Sequence, residues 1–307
     1  MTGVICLNKP AGITSFQAVR IARGITGEKK AGHCGTLDPD ATGVLPIMLG
    51  GSTRFLEFLP TTPKEYRAAM KLGVRTDTLD LTGTVLETRE VTVTRQDLEE
   101  ALPQFTGDIL QVPPMYSALK KDGVRLYDLA RKGVEVEREP RPVTIYSLEL
   151  LPDGTDGTDP SQGEYVLSVT CSGGTYIRTL IDDLGTTLGC GAAMQALLRT
   201  RVGVFRLESA VTLEELERAR DEGNFSSCLM PVEEALSFFE SVTVTDAQAN
   251  RFRNGGELAL DRLHGLDSFP EDGTLLRVLS KESEFLGLGE VDRSVASLLV
   301  KRVFVSR

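Results

Sequence analysis

The sequence predicts an α+β protein built in two unequal parts. Two observations carry the class. Runs such as 164–171 alternate apolar and polar residues, the mark of a half-buried strand, while 95–105 repeats apolar residues at helical spacing. A third observation carries the division. From residue 240 onward the chain turns into short β-like runs separated by glycine-rich turns, the pattern of a small β domain. The expected parts are 1–239 and 240–307, and 307 residues suffice for one large domain plus a small one.

Bulk composition excludes several classes. No apolar run approaches the roughly 20 residues of a membrane span, and residues 1–10 lack the basic start and apolar stretch of a signal peptide. A cytoplasmic protein is expected. The five cysteines (Cys6, Cys34, Cys171, Cys190 and Cys228) are odd in number and scattered, with no C-x-x-C pair. That argues against a zinc site or a disulfide framework and for reduced, mostly buried thiols. His33 and His264 are the only histidines, and nothing in the sequence ties either to Cys34 as an activating base. The net charge of −10 argues against a generic polyanion binder. Residues 1–60, however, carry six basic against four acidic residues, which leaves room for a local nucleic-acid contact.

In chain order, 4–7 reads as a buried strand and 9–15 as a turn. Ser15 is placed to cap a helix that begins at Phe16, with Val19, Ile21 and Ala22 as its apolar positions. Residues 31–46 read as an ordered loop, because three glycines and two prolines break regular backbone. One carboxylate, Asp38, stands in its middle before a proline that favours extended backbone. Such an aspartate is either a turn residue bonded to its own backbone or a functional group on an anchored loop. Residues 64–73 and 85–86 read as strands around a polar loop, 76–83. A strand tyrosine such as Tyr66 ordinarily packs in the core with its hydroxyl at the edge.

A helix is expected over 95–105, with Leu98, Ala101 and Leu102 on one face. An amphipathic helix is expected over 124–132 with basic residues on its outer side. Strands follow at 143–151 and 164–171, separated by a polar loop. A helix carrying Ile181, Leu184 and Leu188 comes next, and another covers 213–222. After a short helix to Phe239, β-like runs occupy 242–244, 275–279, 285–290 and 298–300.

Several of these stretches together resemble one family. Lys9-Pro10-Ala11-Gly12-Ile13-Thr14-Ser15 is similar to the opening motif of the TruB family of tRNA pseudouridine-55 synthases, and of its guide-RNA-dependent relatives. Gly32-His33-Cys34-Gly35-Thr36-Leu37-Asp38-Pro39 resembles the family's signature loop. The block around Tyr66, the stretch Ser172 to Leu180 and the stretch Met194 to Gly203 resemble later motifs in family order. Many members carry Lys where this chain has Gly173. Arg251 to Gly255 and Phe285 to Glu290 resemble, more weakly, the PUA-type domain that follows.

The resemblance implies a pseudouridine-synthase fold, a mixed and largely antiparallel sheet flanked by helices, with a small C-terminal PUA-like RNA-binding domain. It implies a thumb-like insertion over 113–141 that closes on RNA. The implied reaction isomerises uridine 55 in the T-arm of tRNA, with no cofactor, metal or ATP. Asp38 is the implied essential carboxylate, Tyr66 and Arg178 its catalytic companions, and Arg178 the candidate for a bidentate grip on Asp38. His33 is the candidate to fill the space left by the extruded base. Tyr66, Tyr176 and Leu197 line the pocket, and Lys120 and Lys121, with Lys29, Lys30, Arg125 and Arg131, meet phosphate. The implied partner is tRNA alone, bound by a monomer without guide RNA, protein partner or membrane. A guide-RNA-dependent synthase and a tRNA-folding protein are the two competing readings.

Overall fold

The computed structural model describes residues 1–263 and 270–305. His264 lies outside the described residues. A nine-stranded sheet forms the body. Its main path runs Gly3–Lys9, Thr42–Leu49, Ala192–Val202, Lys64–Leu72, Glu164–Cys171, Arg141–Leu150 and Gly107–Gln111. Ala31–His33 adds to Thr42–Leu49, and Phe205–Arg206 to Ala192–Val202. Every pairing is antiparallel except that of Ala192–Val202 with Thr42–Leu49, which meet in parallel at Leu198/Thr42 and Arg199/Gly43. The sheet is thus mixed and largely antiparallel, as the resemblance implies.

Alternation along the strands decides what covers each face. Ile5 and Leu7 join Leu45, Ile47 and Leu49 beneath helix Ser15–Thr26. Their alternate neighbours Val4, Cys6, Val44 and Met48 face the other way. Across the middle of the sheet, Ala68, Met70, Leu167 and Val169 pack against Leu98, Ile177, Leu180 and Leu184 of helices Arg95–Ala101 and Ile177–Thr187. Four cysteines are buried, Cys228 is half-buried, and all five thiols are free.

Some local expectations need correction. The stretch read as one loop, 31–46, is loop only at its centre, because Ala31–His33 and the start of Thr42–Leu49 are paired strands. The cap of the first helix is Thr14, not Ser15. Its hydroxyl accepts from Gln17 N, and its own N–H donates to Gln17 Oε1, a reciprocal capping box. Ile21 is exposed, and the buried stripe is Ala18, Val19, Ala22 and Ile25. The thumb helix is only Leu126–Ala130, because Val124–Arg125 pairs with Lys120–Lys121 in a small hairpin. Strand Gly107–Gln111 and helix Asp246–Arg253 carried no clear sequence signal.

The second sheet has five strands in the order Ser241–Thr243, Leu275–Leu279, Phe285–Asp292, Ser297–Val303, Leu258–Ala259. Val242, Phe252, Leu276, Val278, Leu286 and Leu298 form its core. It is joined to the body by aromatic packing. The Phe55 ring lies 5.6 Å from Phe285 and 6.0 Å from Phe304, in a cluster that also holds Val4 and Val232. Arg302 covers the Phe58 ring and pairs with Glu57.

Gly43 is required where the parallel contact forms. Its φ is +99°, and a Cβ there would lie 2.2 Å from the Arg199 carbonyl oxygen. Gly43→Ala is expected to cost about 2–3 kcal/mol through this clash and the backbone strain. Denaturant unfolding checks it, and a stability equal to that of the parent would show that the two strands can separate freely.

Candidate active site

Residues 34–41 connect the strands Ala31–His33 and Thr42–Leu49 and carry Asp38. A loop has no ladder to satisfy its backbone, so its carbonyls need other donors. Two fully buried cations supply them. Lys9 Nζ donates to the carbonyls of Pro10, Ile13 and Pro39, each at 2.8 Å. Arg199 Nε donates to Val44 O at 2.8 Å, Nη2 to Gly35 O at 2.8 Å and Nη1 to Thr36 O at 3.4 Å. Ser15 closes the set, since its hydroxyl donates to Leu37 O and accepts from Leu37 N. Carbonyls on both sides of Asp38 are thereby fixed. Burial pushes Lys9 down to about 8, opposed by the charges of Asp40 and Asp38.

Asp38 is held by an arginine of helix Ile177–Thr187. Arg178 Nε lies 2.9 Å from Asp38 Oδ2, with the arginine side chain 6% exposed and the aspartate 42%. The expected bidentate grip is not formed. Arg178 Nη1 donates instead to Thr78 O and Nη2 to Tyr116 O, both at 2.9 Å. Asp80 stands 3.8 Å from Nη1 as a second, looser carboxylate, fixed in place by Thr78 and Thr82 hydroxyls. One guanidinium thus ties together the Asp38 loop, the polar loop after Thr76 and the root of the thumb, and one edge of the carboxylate stays open.

Apolar and aromatic groups surround this pair. Tyr66 and Leu197 are buried in one cluster with Leu37, Ile177 and Cys171. Tyr66 stands directly across from Arg199 in the sheet, and Leu197 across from Ala68. Burial raises the Tyr66 pKa and the Arg199 charge opposes that rise, so the group is a neutral phenol at neutral pH. Tyr176 is half-buried at the start of helix Ile177–Thr187. The Gln111 side-chain amide fixes its backbone in both directions, donating to Tyr176 O at 3.0 Å and accepting from Tyr176 N at 2.8 Å. Burial, then the Arg199 charge, keeps His33 neutral by lowering its pKa, and its Nδ1 is buried with no hydrogen-bond partner.

Lys120 and Lys121 lie apart from this centre, exposed on the thumb hairpin. Lys121 Nζ donates to Glu137 O within the thumb. Arg125 and Arg131 lie 5.7 and 5.5 Å from the Tyr127 ring centroid. Sequence reasoning missed Lys9, Arg199, Gln111 and Asp80 as parts of the site. Lys9 and Arg199 lie within motifs already quoted, and only the folded chain shows that they point inward. Among the described residues, no group of His, Cys, Asp and Glu could hold a metal ion, and no helix is long and apolar enough to cross a membrane.

Comparison with known proteins gives matches over most of the chain. Residues 23–177 match the TruB family pseudouridylate synthase N-terminal domain. Residues 178–237 match the tRNA pseudouridylate synthase B C-terminal domain, and 241–304 match the pseudouridine synthase II TruB C-terminal family. The chain is 46% identical over 294 residues to the tRNA pseudouridine synthase B of Stutzerimonas stutzeri, covering 95% of this chain and 92% of the relative. It is 44% identical over 291 residues to the same-named protein of Clostridium tetani, covering 94% and 96%. Among solved structures it resembles a chain of an H/ACA RNP bound to a substrate RNA, with a TM-score of 0.75 and 27% identity. That match covers 99% of this chain and 86% of the other. A chain of a Cbf5-Nop10-Gar1 complex matches at 0.75 and 28%, covering 99% and 85%.

Replacing Lys9 by Met removes the donor from three main-chain carbonyls. A loss of about 2–4 kcal/mol in stability is expected, with faster amide exchange localised to residues 10–14 and 34–41. Hydrogen exchange followed by mass spectrometry reads this, and unchanged protection of the loop would show that Lys9 does not hold it.

Proposed function

The chain belongs to the TruB family of pseudouridylate synthases, and on that premise we propose that it isomerises uridine 55 in the T-arm of tRNA to pseudouridine. The observation that carries the reading is the half-open Asp38 carboxylate. It is ion-paired to a buried Arg178 and set in a loop fixed by Lys9 and Arg199, beside the apolar wall of Tyr66 and Leu197. Apolar walls with a few oriented polar groups suit a single flipped base.

In this reaction the glycosidic bond breaks, the uracil turns within the pocket, C5 joins C1′, the C5 proton leaves and N1 takes up a proton. Asp38 acts as the essential carboxylate. It attacks C1′, adds to C6, or removes the C2′ proton. Arg178 keeps one carboxylate oxygen engaged, so the other is presented to the nucleotide. Tyr66 stacks on the flipped base, and its phenol, or a water, receives the C5 proton. The neutral His33 fills the space that the base leaves, offsetting the few kcal/mol of lost stacking. Tyr176 and Leu197 confine the base while it is detached. The thumb, 113–141, closes on the RNA, and Lys120 and Lys121 supply phosphate contacts there. The catalytic and RNA-binding parts are assigned to 1–239 and 240–307, with a cytoplasmic monomer as the working form.

Two of the solved structures that resemble this chain are an H/ACA RNP bound to a substrate RNA and a Cbf5-Nop10-Gar1 complex, which raises a guide-dependent mode as the alternative. Conversion of a bare, unmodified tRNA, with neither guide nor protein partner, separates the two modes, and failure there would favour the guide-dependent one. Chemical derivatisation of pseudouridine reads the product.

Asp38→Asn is nearly isosteric but carries no charge. Single-turnover conversion is expected to fall by at least about 10⁴-fold while tRNA binding persists. Appreciable product with excess Asp38→Asn enzyme would remove Asp38 from its role. Tyr66→Phe keeps the stack and loses the hydroxyl. Single-turnover conversion is expected to fall about 10²–10⁴-fold if the phenol takes the C5 proton. A near-parental rate would leave Tyr66 only its stacking role.

A further inference from the structure

Lys64 opens the strand Lys64–Leu72 and lies two residues, roughly 7 Å, before Tyr66 on the same face of the sheet. It is half-buried, with Cys171 and Val202 across from it on the flanking strands. Its Cε and Nζ lie 3.7 Å from the point a Cβ on Gly35 would occupy, and Arg199 Nη1 lies 3.4 Å from that point. Two cations therefore converge on one glycine of the Asp38 loop.

Their situations differ. Arg199 directs its guanidinium to the carbonyls of Gly35, Thr36 and Val44. Lys64 makes no hydrogen bond and no ion pair among the described residues. The titratable groups around it are Arg199, Cys34 and Cys171, and the two thiols, pushed up by burial, bring no countercharge. Burial and then the Arg199 charge lower the Lys64 pKa. A half-buried ammonium with a like charge behind it gains from any anion that reaches it.

An open cleft of about 950 Å³ gives an anion that access. Lys64 is the only cation among its ten lining residues, beside the hydroxyls of Thr61 and Thr62. Gly174, also in the lining, has nothing within 4 Å of a Cβ position, so the backbone there is open to a ligand. The one carboxylate in the lining, Asp108, accepts from the Thr144 hydroxyl at 2.7 Å.

We propose that Lys64 contacts a backbone phosphate of the RNA strand flanking the nucleotide in the pocket, and that the adjoining cleft seats that strand. This rests on the RNA-modifying reading given above. The contact places a fixed charge about two strand residues from Tyr66, so it registers the strand against the base pocket.

The test uses the full chain and unmodified tRNA. Binding is measured across a salt series in an Asp38→Asn background, with and without Lys64→Gln. Loss of one phosphate contact is expected to flatten the slope of log affinity against log salt by about 0.7–0.9. Lys64→Arg is expected to retain the parental slope. An unchanged slope in Lys64→Gln overturns the proposal. So does an unchanged slope accompanied by a slower single-turnover rate for Lys64→Gln with Asp38 intact, because that places the amine on the base rather than on phosphate. Should Lys64→Gln fail to fold, reductive methylation of the Lys64 amine in the Asp38→Asn protein replaces it. Saturating tRNA is expected to protect the amine, and equal labelling with and without tRNA overturns the proposal. Parental turnover of bare tRNA is measured in parallel. Turnover with an unchanged slope sinks Lys64 alone, whereas absence of turnover sinks the functional reading itself.

Discussion

Two buried cations hold the Asp38 loop without carboxylate partners among the described residues, and the rest of the site depends on them. Lys9 and Arg199 are wholly enclosed, yet neither forms an ion pair among the described residues. Each directs its N–H groups at main-chain oxygens instead. Burying such charges is unfavourable unless every donor is used. Here half of the bonds go to the Asp38 loop, which cannot satisfy itself, and the others tie it to the turn after the first strand and to Val44. The result is a loop with the positional precision of a strand, carrying a side chain that remains half open to solvent.

Arg178 extends that order beyond the loop. It joins three segments distant in sequence: the loop of Asp38, the turn of Thr78 and Asp80, and the thumb root at Tyr116. Its two amino groups bind carbonyls, and only Nε faces Asp38. This division explains why the carboxylate is oriented and yet keeps an exposed edge. It also makes the thumb's attachment part of the same network that orients Asp38.

Much of this was legible in the sequence, for identifiable reasons. Strand Glu164–Cys171 was readable to the residue because one face is buried and the other partly wet, so alternation is clean. Helix Ile177–Thr187 announced itself through Ile181 and Leu184. Strand Gly107–Gln111 did not, being a five-residue edge segment with Leu110 exposed. Helix Asp246–Arg253 buries only Ala249 and Phe252, too few positions to set a period. In the site, Asp38, Arg178, Tyr66 and Leu197 were found through motif resemblance, and the fold brings them together. Lys9 and Arg199 were overlooked because a basic residue read from sequence defaults to the surface. Only the folded chain shows three carbonyls converging on each.

The aromatic junction between the two sheets bears on how the molecule comes apart. Phe55 of the body packs with Phe285 and Phe304 of the smaller sheet, over Val4 from the first strand and Val232. Neither part owns this cluster, so each leaves part of its apolar surface uncovered without the other. Stability is shared across the junction, so unfolding of the two parts is expected to be coupled. Severing it near residue 240 would leave a contiguous oily face on the larger fragment, a surface prone to self-association.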